Sequence, residues 1–151
     1  CCQIAQIMGL DAVPYDLARW KGQLCSTYRL FTSKSVSYLS AGALIRENGL
    51  TLVIDAYEEK GQSDFLADML LFDAVIRNTD RHLGNFGFLV DILINKVIVP
   101  APWFDHGLSL FCYVMGDDLE NLEAQAKALT SVLHADFDEG THLLMGPVQR
   151  E

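Results

Sequence analysis

The stretch FDAVIRNTDRHLGNFGFLVD, residues 72–91, decides the fold, because it passes from a helical apolar stripe through a polar loop into an alternating strand. Its first part completes a helix that the spacing predicts from Ser63, as N-cap, through Asn78, with Asp64 in the first turn, where a carboxylate complements the positive end of the helix dipole. Phe65, Met69, Phe72 and Ile76 recur at helical spacing, and Leu66, Leu70 and Val75 widen the stripe, so most of this cylinder is expected to face the interior. A stripe of this kind is core packing, and no chemistry is assigned to it. NTDRHLGN then reads as a loop, and FGFLVD with KVIV reads as a hairpin turning at Ile94 and Asn95 and ended by Pro100 and Pro102.

Outward toward the amino end, VPYDLARW and QLCSTYRLF form a second expected hairpin around Lys21 and Gly22. The opening CCQIAQIMGL reads as the tail of a helix closed by Gly9, its start expected upstream. TSKSVSYLSAG is polar and small and reads as a connection. ALIRENG and LTLVIDAYEEKG are two short helical or mixed elements, each stopped by a glycine. Toward the carboxyl end, DDLENLEAQAKALTSVLH is expected as an acidic-to-amphipathic helix with Leu119, Leu122, Ala126 and Leu129 on one side. No internal repeat is visible.

The whole chain has 151 residues, 50% of them apolar and 21% charged, which is the balance of a globular domain with one core. At this length neither disulfides nor a structural metal is required for stability. A formal charge of −9 without a basic run argues against a polyphosphate backbone as direct ligand. The longest apolar region, residues 83–104, is interrupted by Asn85, Asp91, Asn95 and Lys96 and suits strands rather than a bilayer helix, so a soluble protein is expected. Cys1, Cys2, Cys25 and Cys112 include no CxxC pair, and free thiols in a reducing cytoplasm are the expectation.

The residues with chemistry to offer are Asp80, His82, Asn85, Asp105 and His106, in two groups at the edges of the 86–99 hairpin. Asp80 follows directly on the buried helix, and Gly84 lets the chain turn so that Asn85 returns toward the same space. The hairpin folds back on itself, which can bring Asp105 near Asn85 and provide two hard oxygen donors suited to Mg²⁺. An aspartate capping a helix end is by itself commonly structural, and DxxxxN arises often by chance. The conjunction carries more: an aspartate, an asparagine five positions on, a short hairpin, then an aspartate followed one residue later by glycine is the order used in kinase catalytic machinery.

FDAVIRNTDRHLGNFGFLVD with APWFDHGLSLF resembles the catalytic core of HipA-like serine/threonine kinases, a bacterial branch of the protein-kinase-like fold. The resemblance covers residues 72–111 well; residues 1–32 are similar more loosely to that family's helix end and two strands leading to the interlobe hinge. It implies an α+β, mainly helical fold, with residues 1–32 leading to the hinge and residues 33–151 forming a kinase-like carboxy-terminal lobe with small β-hairpins. It further implies Asp80 as catalytic base, His82 as a loop residue near the nucleotide, and Asn85 and Asp105 as Mg²⁺ ligands, with ATP and Mg²⁺ as cofactors and a protein hydroxyl as acceptor. It leaves room for an antitoxin-like partner; the unpaired cysteines point to the cytoplasm, and the net negative charge argues against membrane or nucleic acid as direct partner.

DRHLGN also resembles the DRHxxN loop of phosphatidylinositol kinases, which keeps inositol hydroxyls as a second acceptor class; NTD and PWFDHGLSL favour the HipA-like group. Two features depart from the pattern. No glycine cluster precedes a strand lysine, so the phosphate loop and its lysine have no counterpart, and His106 stands where many protein kinases carry phenylalanine. His106 is expected to pack or to hydrogen-bond, His82 to brace its loop, and His134 and His142 to have no function. The first departure motivates a rival reading as an inactive pseudokinase or interaction domain. A second rival is a hydrolase holding a transition metal on Asp80, His82, Asp105 and His106, although no HxxxH or HxH pair supports it.

Overall fold

In the computed structural model, residues 1–45 and 50–130 and Phe137 are described. The elements run α1 (Cys2–Ile7), β1 (Tyr15–Trp20), β2 (Gln23–Tyr28), β3 (Val36–Ser40), α2 (Ala41–Leu44), α3 (Leu50–Glu58), α4 (Ser63–Ile76), β4 (Gly87–Asp91), β5 (Lys96–Pro100), a 3₁₀ turn (Gly116–Asn121) and α5 (Leu122–Ala128). The strands form an antiparallel pair β1-β2 and an antiparallel sheet of order β3-β4-β5. Helix does not plainly predominate over strand, so the architecture is a mixed one of helices and small antiparallel sheets.

Helix α4 is the centre of the core. Leu66, Met69, Phe72 and Ile76 are buried against Ala5 of α1, Val53 and Tyr57 of α3, Phe88 of β4, and Trp103. Each such side chain contributes about 1.5–3 kcal/mol through removal of apolar surface from water. Three expectations for this helix are corrected. Gln62 rather than Ser63 is the N-cap, without a side-chain capping bond, and Val75 is 55% exposed, so the buried stripe is narrower than the apolar residues suggested. The helix also stops at Ile76, two residues before Asn78. Arg77 adopts a left-handed conformation with φ 52°, and the N–H groups of Arg77 and Asn78 bond back to the carbonyls of Ala74 and Asp73.

The β1-β2 hairpin pairs Trp20 with Gln23, leaving Lys21 and Gly22 as a two-residue turn with φ values of 51° and 82°, the left-handed geometry whose twist matches such a hairpin. Leu17, Trp20 and Leu24 on it are 74%, 68% and 64% exposed, and only the Lys21 ammonium, 5.8 Å over the Trp20 ring, is seen among the described residues to lie across any of them. Residues 36–40, read from sequence as connection, are strand β3. The V-S-Y alternation pairs them with β4 from Val36↔Asp91 to Ser40↔Gly87, and Ser40 ends the strand by accepting the Ala43 N–H as N-cap of α2. The serines disguise a half-buried edge strand as a polar linker.

The β4-β5 hairpin follows its expectation, with Asn95 at φ 50° in the turn. It departs from a regular ladder at Ile98, the extra residue between the Val90↔Val97 and Leu89↔Val99 pairs. Gly87 begins β4 against the backbone of residues 39–41. A Cβ there would overlap the Leu39 carbonyl oxygen and lie 2.8 Å from the Ser40 Cα. Gly87→Ala is therefore expected to cost about 1–3 kcal/mol or more, read as a lowered urea midpoint with unchanged slope.

The long carboxy-terminal helix is not seen as expected. Residues 116–121 are 3₁₀, α5 spans seven residues without a buried side chain, and Leu129 is already extended. The rest of that expected helix, with His134 and His142, lies outside the described residues, as does part of ALIRENG. Among the described residues no helix is long and apolar enough to cross a membrane, and all four cysteines are free thiols.

Candidate active site

The loop after α4 is built on one buried ion pair. Arg81 is fully buried, and its Nε and Nη2 donate to the two carboxylate oxygens of Asp73 at 2.8 and 3.0 Å. Asp73 lies on α4, where its carboxylate also accepts from Asn78 Nδ2 at 2.9 Å. The remaining guanidinium nitrogen, Nη1, donates to the carbonyls of Asn85 at 2.8 Å and Phe104 at 2.7 Å. A single nitrogen atom thus ties the 80–85 loop to the segment that leads into Asp105. Planarity suits guanidinium to this task, since its donors leave in fixed directions.

Asp80 is held by its backbone. Its N–H donates to Asn78 Oδ1 at 3.2 Å, and its carbonyl accepts from the His82 N–H at 2.9 Å and from Asn85 Nδ2 at 3.0 Å. The Asp80 carboxylate accepts no hydrogen bond among the described residues, so a fixed main chain presents an uncommitted acid group. Asn85 is buried with its amide nitrogen committed to the Asp80 carbonyl, while its side-chain oxygen, a hard donor, has no hydrogen-bond partner among the described residues. His82 is exposed, and its Nδ1 accepts the Gly84 N–H at 3.0 Å, which braces the turn as expected. Gly84 has no positive φ. Its lack of a side chain matters for room, because a Cβ would stand 2.7 Å from the His82 ring.

Asp105 is exposed and left-handed at φ 55°, with its N–H donating to the Tyr15 hydroxyl at 3.2 Å. It borders a cavity of about 380 Å³ that Tyr15 and His106 also line. The structure therefore joins Asp80, His82 and Asn85 in one hydrogen-bonded loop and links Asp105 to it through Arg81. Amide and carboxylate oxygens at Asn85 and Asp105, neither spent on a hydrogen bond among the described residues, fit a small hard cation that keeps water and phosphate among its ligands. The transition-metal alternative is not assembled: among the described residues no three His, Cys, Asp or Glu side chains are placed to share a metal.

His106 packs edge-on against Phe72, with centroids 5.5 Å apart, and neither ring nitrogen has a hydrogen-bond partner among the described residues. The packing half of its expected role holds, and the hydrogen-bonded half does not. Burial, and after it the positive charge of Arg81, push its pKa down to about 3. The unfolded chain thus takes up a proton near pH 6.5 that the folded chain refuses until about pH 3. Stability is expected to fall as pH drops through that window, by up to about 1.4 kcal/mol per unit, and His106→Phe to flatten this part of the profile in urea melts at stepped pH.

Sequence reading missed Asp73, Asn78, Arg81 and Tyr15. Asp73 and Arg81 carried a signal, since an aspartate inside an apolar helical stripe and an arginine eight residues on invite pairing. Tyr15 carried none, because its contact spans ninety residues.

No family model and no curated protein matches the chain. Among solved structures the chain is similar to the Helicobacter pylori proinflammatory kinase CtkA, at 22% identity and a TM-score of 0.76 over 91% of this chain. The match takes in 58% of that protein, so the chain spans little more than half its length. At that identity the likeness speaks for architecture: the chain has a kinase-like fold.

Proposed function

We propose that this chain is the core of an ATP- and Mg²⁺-dependent phosphotransferase of the HipA-like kind, passing the γ-phosphate to a serine or threonine hydroxyl of a protein. The observation that carries this reading is the tying together of an uncommitted Asp80 carboxylate, the Asn85 side chain and the approach to Asp105 by Asn85 Nδ2 and Arg81 Nη1. Asp80 takes the proton of the acceptor hydroxyl as its oxygen bonds to the γ-phosphorus and the bond to the departing ADP breaks. Asn85 and Asp105 hold Mg²⁺, which when bound neutralises charge on the phosphate oxygens. His82 keeps the loop in shape beside the nucleotide.

Residues 1–32 belong in this reading to the approach to an interlobe hinge, and residues 33–151 to the carboxy-terminal lobe. The exposed apolar side chains of the β1-β2 hairpin support it, since a two-stranded ribbon cannot bury its own faces. A protein acceptor, an antitoxin-like partner and a cytoplasmic location are part of the same proposal. The second reading is a pseudokinase or interaction domain, in which the same loops hold no metal-bound nucleotide.

Calorimetry with a non-hydrolysable ATP analogue separates the two. Binding by the intact polypeptide is expected to tighten with Mg²⁺, and Asp105→Asn is expected to remove that gain while leaving the metal-free affinity unchanged. Analogue binding indifferent to Mg²⁺, or no binding at all, would favour the pseudokinase.

A further inference from the structure

Five aromatic rings run in sequence between the two loops of the site: Tyr15 to Tyr28 at 5.2 Å, Tyr28 to Phe31 at 6.5 Å, Phe31 to Phe104 at 5.4 Å, and Phe104 to Tyr38 at 5.4 Å. Phe31 also meets Tyr38 directly, edge-on at 6.1 Å. Both ends of the chain of rings carry a hydroxyl, and each hydroxyl contacts backbone of the site. Tyr15 accepts the Asp105 N–H at 3.2 Å, and Tyr38 donates to the Gly84 carbonyl at 2.8 Å. Gly84 immediately precedes Asn85.

We propose that Tyr15 and Tyr38 are positioning residues that set the Asn85 and Asp105 side chains relative to one another, so that they act on a divalent cation as a pair. Asp105 needs such a hold. Its left-handed backbone is a conformation that costs a residue with a Cβ of order 1 kcal/mol, and its side chain is exposed, so little else among the described residues fixes its direction. The Tyr15 hydroxyl sits on the main-chain N–H of that strained residue. Tyr38 does the same for the turn on the other side, where Gly84 is already engaged through its N–H by His82.

The rings make the two contacts dependent on one another. Aromatic pairs at these separations resist sliding, so a shift of the β1-β2 hairpin is passed through Tyr28, Phe31 and Phe104 to Tyr38. Phe104 is central, because its own carbonyl is held by Arg81 and its ring lies between the two halves of the chain. Burial raises the pKa of both end hydroxyls, that of Tyr38 to about 12, so Tyr38 remains a donor throughout the neutral range.

This inference rests on Asn85 and Asp105 being the metal pair. Its test uses Tyr15→Phe and Tyr38→Phe, which remove a hydroxyl and keep the ring. Binding of a non-hydrolysable ATP analogue is measured with Mg²⁺ and with chelator, alongside amide hydrogen exchange over residues 104–107. In each variant the Mg²⁺-dependent gain in affinity is expected to shrink about 10-fold, the size usual for groups that orient a metal ligand, with metal-free binding and the thermal midpoint nearly unchanged. Exchange of the Asp105 amide without nucleotide is expected to accelerate in Tyr15→Phe, a readout independent of any activity. The double variant is expected to lose less than the product of the two single losses, because both hydroxyls serve one geometry.

A Tyr15→Phe protein with the full Mg²⁺-dependent gain and unchanged Asp105 exchange would overturn the proposal. A loss of thermal stability with both affinities reduced equally would also overturn it, as the mark of a structural role. A wild type without any Mg²⁺-dependent gain would overturn the phosphotransferase reading beneath it, whatever the exchange data show.

Discussion

Asp80→Asn is expected to lower phosphoryl transfer by about 10²–10⁴-fold, the range for loss of a positioned general base, while Mg²⁺-dependent nucleotide binding stays within experimental error. The asymmetry follows from how the residue is held. Its structural bonds all pass through the main chain, which asparagine keeps: the N–H to Asn78, and the carbonyl that accepts from His82 and Asn85. Only the carboxylate, which has no hydrogen-bond partner among the described residues, is exchanged for a group unable to take a proton. Single-turnover rates beside calorimetric affinities check this, and a variant that turns over at the wild-type rate would remove Asp80 from its role.

Arg81→Ala is expected to cost about 3–5 kcal/mol, because it strands the Asp73 carboxylate in the core without its counter-charge. It also leaves the Asn85 and Phe104 carbonyls without their shared donor. For a domain of this size that corresponds to a fall of about 6–20 °C in thermal midpoint. Removing both charges separates stability from function. The pair Asp73→Leu with Arg81→Met is expected to recover much of the lost stability, since apolar side chains of similar volume can replace a buried ion pair. It is not expected to recover Mg²⁺-dependent nucleotide binding, because nothing then ties the Asn85 loop to Phe104. Recovery of both in the double variant would reduce the ion pair to a packing element.

These two residues also mark what was legible in the sequence. Asp80, His82, Asn85 and Asp105 could be picked out because their spacing and the hairpin between the last two resemble a kinase core, and the structure gathers the first three in one loop. Arg81 sits inside that motif without belonging to its spaced set. Its role is visible only once Asp73, eight residues before it and hidden in an apolar stripe, is seen to face it. Local periodicity located α4 and both hairpins well, because alternation and helical spacing depend on immediate neighbours. It failed where tertiary pairing outweighed composition, as in β3, whose serines pair with β4, and in the segment after residue 115, whose charge pattern resembled a longer helix than forms. Tyr15 and Tyr38 lay beyond any local rule, since each acts on a loop remote in sequence.

The most direct test of a phosphotransferase core is transfer itself. The intact polypeptide is incubated with ATP and Mg²⁺, and ADP release is followed while intact-mass spectrometry records phosphate-sized gains on the protein and on added protein acceptors. ADP is expected to form in step with a phosphate gain that requires Mg²⁺ and disappears in Asp80→Asn. ADP and phosphate gain absent from the wild type with every acceptor, in a protein that nonetheless binds the nucleotide, would contradict it and leave a kinase fold put to another use.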